Sequence, residues 1–416
     1  MTLPAQSPSR TAAPVSGWPA SEQQRYFWFL QQLSPDQPLV NVLATLRVPF
    51  ALDAEEVRGA LRAVAERHST LRSQLVAQGD ELLQVSLDAD AIPFESIAVR
   101  DVEEARQRAR AEGHHVFDVA REAPTRCFLY RAESGETVVA LVCQHAAVDR
   151  YAVELVVRDL VASLEEELAE PAADALEYQD YARWQRAEHE AGTNVEWWAD
   201  RLAAVELDPT DPAARPVQHA EVDVSELVGR ARAAASTFGL MLGTVLLGGL
   251  VDEVGGDRDL LVGLVVANRL REEFAEVVGP FARLVPLPVR SSPTESLEQL
   301  SRRLHADLGA ALARQEVPID RLGDELRRRG AAFQFPSIVF NLVSAKSVAP
   351  TLRGQSVDFD VEEIGEEAAH ADLVVVVWPG EAWRAAIDVR EGGRYAGYTP
   401  AELVRAWTSR YPPPAQ

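Results

Sequence analysis

Two residues in the segment Leu141-Val-Cys-Gln-His-Ala-Ala-Val-Asp-Arg150, His145 and Asp149, have types and a spacing that could do chemistry. A neutral imidazole is the side chain best poised to take up or release a proton near pH 7. The segment follows a continuous apolar run and precedes an amphipathic pattern. Both residues are therefore expected on a strand-to-helix loop, a common place for reactive groups. The same spacing also has a plain reading: a satisfied core histidine and an aspartate that caps the next helix. His114 and His115 form no such pair and read as a solvated helix end ahead of Phe117-Asp118. His68 reads as a core histidine at a helix end. His189, His219, His305 and His370 show no metal-ligand clustering. Gly255-Gly256 and Gly392-Gly393 read as turns, since neither precedes the Lys-Ser/Thr of a phosphate loop.

The elements around this loop follow from periodicity. Strands are expected at 42–48, 127–131, 137–143, 337–342, 373–378 and 383–389. Helices are expected at 151–168, 227–254 (broken at its glycines), 297–314 and 320–328. Asp53 followed by Glu56 predicts a capping box, with Val57, Leu61, Val64 and Ala65 on one helix face. Mixed strands and helices, some strands buried on both faces, point to α/β layering with two sheets. The Pro- and Asp-rich run at 207–216 reads as a loop or lobe boundary.

The chain has 416 residues, enough for two or three domains, with 47% hydrophobic and 25% charged residues. Its formal charge of -23 comes without a basic run, which disfavours nucleic-acid and anionic-membrane binding. The two cysteines, Cys127 and Cys143, lie in apolar strand-like runs, so a reduced cytoplasm is expected. Residues 1–16 lack the apolar core of a secretory signal, and the apolar stretch 238–251 is too short to span a bilayer.

Several further motifs stand in a consistent order. They are Ser21-Glu-Gln-Gln-Arg-Tyr-Phe-Trp-Phe-Leu30, Arg67-His-Ser-Thr-Leu-Arg72, Phe117-Asp118 with Pro124, and Tyr178-Gln-Asp-Tyr-Ala-Arg-Trp-Gln185 with Trp198 and Leu202. Val262-Gly263, Arg269, Val278-Gly-Pro-Phe281, Pro286-Leu287, Gln315-Glu-Val-Pro-Ile-Asp320 and Asp372-Leu373 follow. With Gln144-His145 and Asp149, this set resembles the condensation domains of nonribosomal peptide synthetases, over roughly residues 17–408. The resemblance implies two chloramphenicol-acetyltransferase-like lobes, mixed sheets with flanking helices, in a V-shaped pseudo-dimer with a tunnel between them. A leader at 1–18, an N-terminal lobe with the active loop at 19–180, a C-terminal lobe with a crossing loop and strand at 181–408, and a tail at 409–416 are expected.

By the same resemblance His145 is the catalytic residue of an acyltransferase. It would act as general base, or hold the nucleophile and stabilise the tetrahedral intermediate. No acyl-enzyme is needed. Asp149 is expected to be structural and to pair with a buried arginine, for which Arg67, Arg72 and Arg269 are the candidates. The sequence departs from the family pattern at Gln144, Arg150, Ala152 and Arg283, which replace His, Gly, Ser and Asn. Glutamine can replace the hydrogen bonds of the first histidine. Arg150 and Arg283, with Tyr151, are expected along the substrate channel. A guanidinium there recognises an anion or plugs the acceptor side.

No metal or bound cofactor is expected. The resemblance implies a donor on the phosphopantetheine arm of a peptidyl or acyl carrier protein, a small-molecule acceptor, and a monomer. The sequence holds no adenylation-like segment and no Gly-Gly-x-Ser-Leu carrier motif, so the donor must come from elsewhere. The start at Met1 suggests a free-standing protein. The alternative is an inactive condensation-like module that recruits partner enzymes or a carrier protein. A cyclisation variant is argued against by His145.

Overall fold

The computed structural model describes residues 16–413 apart from 34, 37, 39–40, 173, 193, 206–215, 293, 333, 344–349 and 365–370. Two mixed sheets organise the chain, as expected. The first has five strands in the order Asp358–Ile364, Asn41–Val48, Thr137–Gln144, Thr125–Ala132, Phe94–Val99. All neighbours are antiparallel except the last pair, which is parallel. Thr137–Gln144 is buried at every position, which explains its unbroken apolar run. Val139, Leu141 and Cys143 pack on one side with helices Ala54–Arg67 and Arg150–Leu164. Val138, Ala140 and Val142 pack on the other with Phe27 of helix Glu22–Leu33 and with helix Val102–Gly113.

The second sheet has six strands in the order Arg283–Arg290, Asp259–Val266, Ile338–Leu342, Leu373–Trp378, Arg384–Arg390, Val217–Asp223. Ile338–Leu342 is parallel to both neighbours, and the remaining pairs are antiparallel. Its core takes side chains from helices Ser225–Phe238, Leu242–Val254, Leu297–Leu312, Ile319–Arg328 and Pro400–Ser409. The helical run expected at 227–254 is two helices bent by 111°. Gly239 sits at the break with φ of 66°, a left-handed conformation that glycine adopts without strain. Among the described residues no single helix is long and apolar enough to cross a membrane.

The two halves of the chain are interleaved. Asp358–Ile364 leaves the C-terminal half and completes the first sheet, with Ile364 opposite Asn41 and Asp358 opposite Arg47. Helix Tyr178–Ala191 runs across the expected division at 180/181. Its Tyr178 and Tyr181 form a hydrophobic cluster with Phe274, Val277 and Phe281.

Three local expectations need correction. Asp53 does cap its helix, accepting from the Glu55 and Glu56 amides. Glu56, however, pairs with Arg353 instead of closing a capping box. Trp18, expected in the leader, pairs with Gln84 in a short strand. Tyr411, expected in the tail, is buried, and its hydroxyl donates to Val245 O at 2.9 Å. The expected loop at 207–216 falls almost wholly outside the described residues, as do most of the leader and the end of the tail.

Gly279 lies where these halves meet, and a Cβ added there would stand 2.0 Å from the ring of Tyr178. Gly279→Ala is therefore expected to destabilise the fold by about 1–3 kcal/mol through overpacking. At Gly309, in helix Leu297–Leu312, an added Cβ meets nothing within 4 Å. Gly309→Ala should be neutral or stabilising by about 0.4–1 kcal/mol. Denaturant midpoints of the two variants would check the contrast.

Candidate functional site

The site is assembled where strand Thr137–Gln144 ends and helix Arg150–Leu164 begins. The Gln144 side chain folds back and accepts the Ala146 amide, while the Gln144 carbonyl accepts Ala147 N–H at 2.9 Å. The loop is thus turned by hydrogen bonds that a glutamine can make without the family's first histidine. Asp149 supplies the helix N-cap, accepting Ala152 N–H on Oδ1 at 2.7 Å.

The other face of Asp149 reaches across the molecule. Its Oδ2 accepts the amides of Phe281 and Ala282, both at 2.9 Å. Arg269 is its arginine, with Nη2 3.5 Å from Oδ1 and both side chains buried. Arg269 also donates to the carbonyls of Phe274, Ala275 and Val277, and its guanidinium lies 4.2 Å from the Phe281 ring centre. One carboxylate therefore holds the His145 loop, a helix start and the Gly-Pro-Phe segment together.

The other two candidates serve elsewhere. Arg67 Nε pairs with Asp159 at 3.0 Å, joined there by His68 Nε2 at 2.9 Å. Asp159 lies three turns along the same helix, about 15 Å from Asp149 at 1.5 Å per residue. Arg72 is spent on the carbonyls of Ala65 and Leu87.

His145 is only 4% exposed. Its ring stacks on Phe27 with centroids 4.3 Å apart and 22° between planes. Its Nδ1 is buried and unpartnered, and neither ring nitrogen makes a hydrogen bond among the described residues. Phe27 was not singled out from the sequence. The helix that carries it starts with a reciprocal cap, Gln24 N–H to Ser21 Oγ at 3.1 Å and Ser21 N–H to Gln24 Oε1 at 3.0 Å. Ser21-x-x-Gln24 was legible as a helix-start signature, and it fixes where Phe27 falls.

The three residues expected along a channel have protein partners. Arg150 Nη1 donates to Val361 O of the crossing strand at 2.9 Å. Arg283 Nη1 stands 3.1 Å from the Glu316 carboxylate, both largely buried, so it is no free anion receptor. Tyr151 is 42% exposed and lies over Arg269. A cavity of about 360 Å³ is bordered by Arg62, Arg72 and Asp90, and another of about 30 Å³ by Trp184, Phe274 and Gln315. His145 lines neither. The cysteines are free and buried, with burial pushing the Cys143 thiol up to about 12, so neither is a nucleophile near neutral pH. Among the described residues no group of His, Cys, Asp and Glu could hold a metal ion.

A family model described as "Condensation domain" matches residues 17–391. The chain is 31% identical over 338 residues to phosphinothricin tripeptide synthetase PhsC of Streptomyces viridochromogenes, covering 74% of this chain and 31% of that one. It is 32% identical over 328 residues to AMB antimetabolite synthetase AmbB of Pseudomonas aeruginosa, covering 74% of this chain and 26% of that one. The chain thus spans less than a third of these curated relatives. Among solved structures, the X-domain from teicoplanin biosynthesis superposes with a TM-score of 0.78 at 21% identity, covering 97% of both chains. The condensation domain of the Monacolin K polyketide synthase MokA does so with a TM-score of 0.78 at 18% identity, covering 95% of this chain and 96% of that one.

Removing the Asp149 carboxylate strands a buried guanidinium and the Phe281 and Ala282 amides. Asp149→Ala is expected to cost about 3–5 kcal/mol, read as a fall in denaturant midpoint. Arg67→Ala, which leaves Asp149 and its partners intact, should not reproduce that loss at the active loop, as amide exchange of Phe281 would show.

Proposed function

The chain belongs to the condensation-domain family, and on that basis we propose that it is a condensation-type acyltransferase joining a carrier-bound acyl or aminoacyl thioester to an amine or alcohol. The observation that carries this reading is the unpartnered imidazole of His145. Buried polar atoms nearly always find a hydrogen-bond partner inside the protein. A histidine kept for structure alone would be satisfied, as His68 is by Asp159. The His145 ring is instead oriented by stacking and leaves its nitrogens to a group the chain does not supply.

In the proposed reaction the nucleophile's nitrogen or oxygen attacks the thioester carbonyl carbon. The new C–N or C–O bond forms and the C–S bond breaks. The proton shed by the nucleophile passes to His145 and then to the departing thiolate of the phosphopantetheine arm. The loop hydrogen bonds of Gln144 and the grip on Asp149 keep the imidazole in place while this happens.

A second reading is favoured by Arg150. Its guanidinium donates to Val361 O and so ties the helix start that follows the His145 loop to strand Asp358–Ile364. A domain tied in this way would act as a docking module. The X-domain of teicoplanin biosynthesis, of like fold, forms a complex with OxyB.

Wild type and His145→Ala should be compared with an acyl-loaded carrier protein and candidate acceptors by intact-protein mass spectrometry. Wild type is expected to unload the carrier into product, and His145→Ala to be slower by about 10²–10⁴-fold, the usual worth of acid–base catalysis. Equal rates would sink the transferase reading. Arg150→Gly is expected to gain turnover with bulky neutral acceptors, because its guanidinium is spent on a backbone carbonyl. Selective loss with acidic acceptors would instead identify Arg150 as an anion receptor.

A further inference from the structure

A second group of charges, largely buried except for the partly exposed Glu22, lies outside the chemistry so far described. His189, on helix Tyr178–Ala191, has Nδ1 3.6 Å from Glu22 Oε1 and Nε2 3.3 Å from Glu316 Oε2. Arg283 meets the other oxygen of Glu316, Oε1, at 3.1 Å, and Gln185 Nε2 donates to Oε2 at 3.0 Å. Gln185 Oε1 in turn accepts the Glu22 amide at 2.9 Å. The group joins three parts of the chain. Glu22 opens the helix that carries Phe27. Arg283 directly follows the two amides that Asp149 holds. Glu316 and Arg321 belong to the C-terminal half, and Arg321 Nη1 donates to the His189 carbonyl at 3.0 Å.

We infer that His189, Glu22, Glu316 and Arg283 form a proton-dependent clasp that seats the Phe27 helix against His145, which makes His189 a positioning residue. The charges decide it. Two carboxylates face one guanidinium, so only the imidazolium brings the set to neutrality. A neutral His189 leaves an uncompensated negative charge in a poorly solvated place, and such charges are costly. Arg321 meets the His189 carbonyl, not its ring, and Tyr181 and Gln185 on the same helix are uncharged. The substitution of Arg for the family's Asn at 283 thus has a reason within this chain: it balances Glu316.

Titration agrees in sign. Burial pulls the His189 imidazole down, but Glu22 and then Glu316 outweigh it and hold it above its ordinary range. Burial likewise pushes Glu316 up, and Arg283, then His189 and Gln185, hold it below its ordinary range. A histidine raised in the folded state stabilises fully below its unfolded pKa of about 6.5. That stability is lost as pH rises through the folded value.

The clasp is tested on the whole chain by thermal unfolding from pH 5.5 to 9. Wild type should melt higher than His189→Gln by at least about 2 °C at pH 6, and the gap should shrink toward pH 9. Glu22→Gln should move wild type's alkaline decline to lower pH. A gap that does not vary with pH, or an unmoved decline in Glu22→Gln, would overturn the clasp. If His189→Gln does not fold, Glu22→Gln alone decides. The link to turnover rests on the acyl-transfer reading: kcat of wild type should decline along the same pH curve. His145→Ala should slow turnover by about 10²–10⁴-fold and leave the melting profile's pH dependence unchanged. Loss of turnover in all proteins with an intact melting profile would therefore count against the transferase and not against the clasp.

Discussion

Everything in the site hangs on one carboxylate. Asp149 takes a helix amide on one oxygen and two amides from a segment more than a hundred residues later on the other, with Arg269 beside it. Taking a charge from water is costly unless its lone pairs are filled and its charge is balanced. Here both conditions are met only when the two halves of the chain are docked. The same contacts that solvate Asp149 therefore define where the His145 loop sits.

His145 inherits its position from that docking. The loop ahead of Asp149 is turned by Gln144, and Phe27 closes over the ring from the other side. Rigid supports on both sides suit a group whose task depends on orientation. Burial keeps bulk water away from the ring and strengthens any hydrogen bond made to it. The contacts that orient the ring do not involve Arg150, whose guanidinium is spent on Val361 O.

The strands and helices were largely legible because their apolar periodicity is a local property. Strand Thr137–Gln144 shows it best, since burial on both faces leaves a continuous run. The N-cap role of Asp149 was legible for the same reason. Its arginine could be narrowed to three candidates but not chosen, because Arg67, Arg72 and Arg269 look alike until the chain is folded. Arg67 and His68 turned out to share Asp159. His189 carries no local signal, because its partners are carboxylates at distant positions in the chain. Arg283 read as a lone departure from a motif, and only its distance to Glu316 shows it as half of a pair. Long-range pairings of this kind leave no periodic trace.

The return of Asp358–Ile364 to the first sheet has a topological cost and a benefit. A gene fragment ending after the first sheet's own strands would leave Asn41–Val48 as an open edge, with a row of unsatisfied backbone groups inviting foreign strands. The ribosome must deliver most of the second lobe before that edge can be closed, and contacts so distant in sequence form slowly. Swapping one lobe between homologues as a contiguous cassette would thus sever a sheet; a workable chimera must carry the returning strand with the lobe it completes.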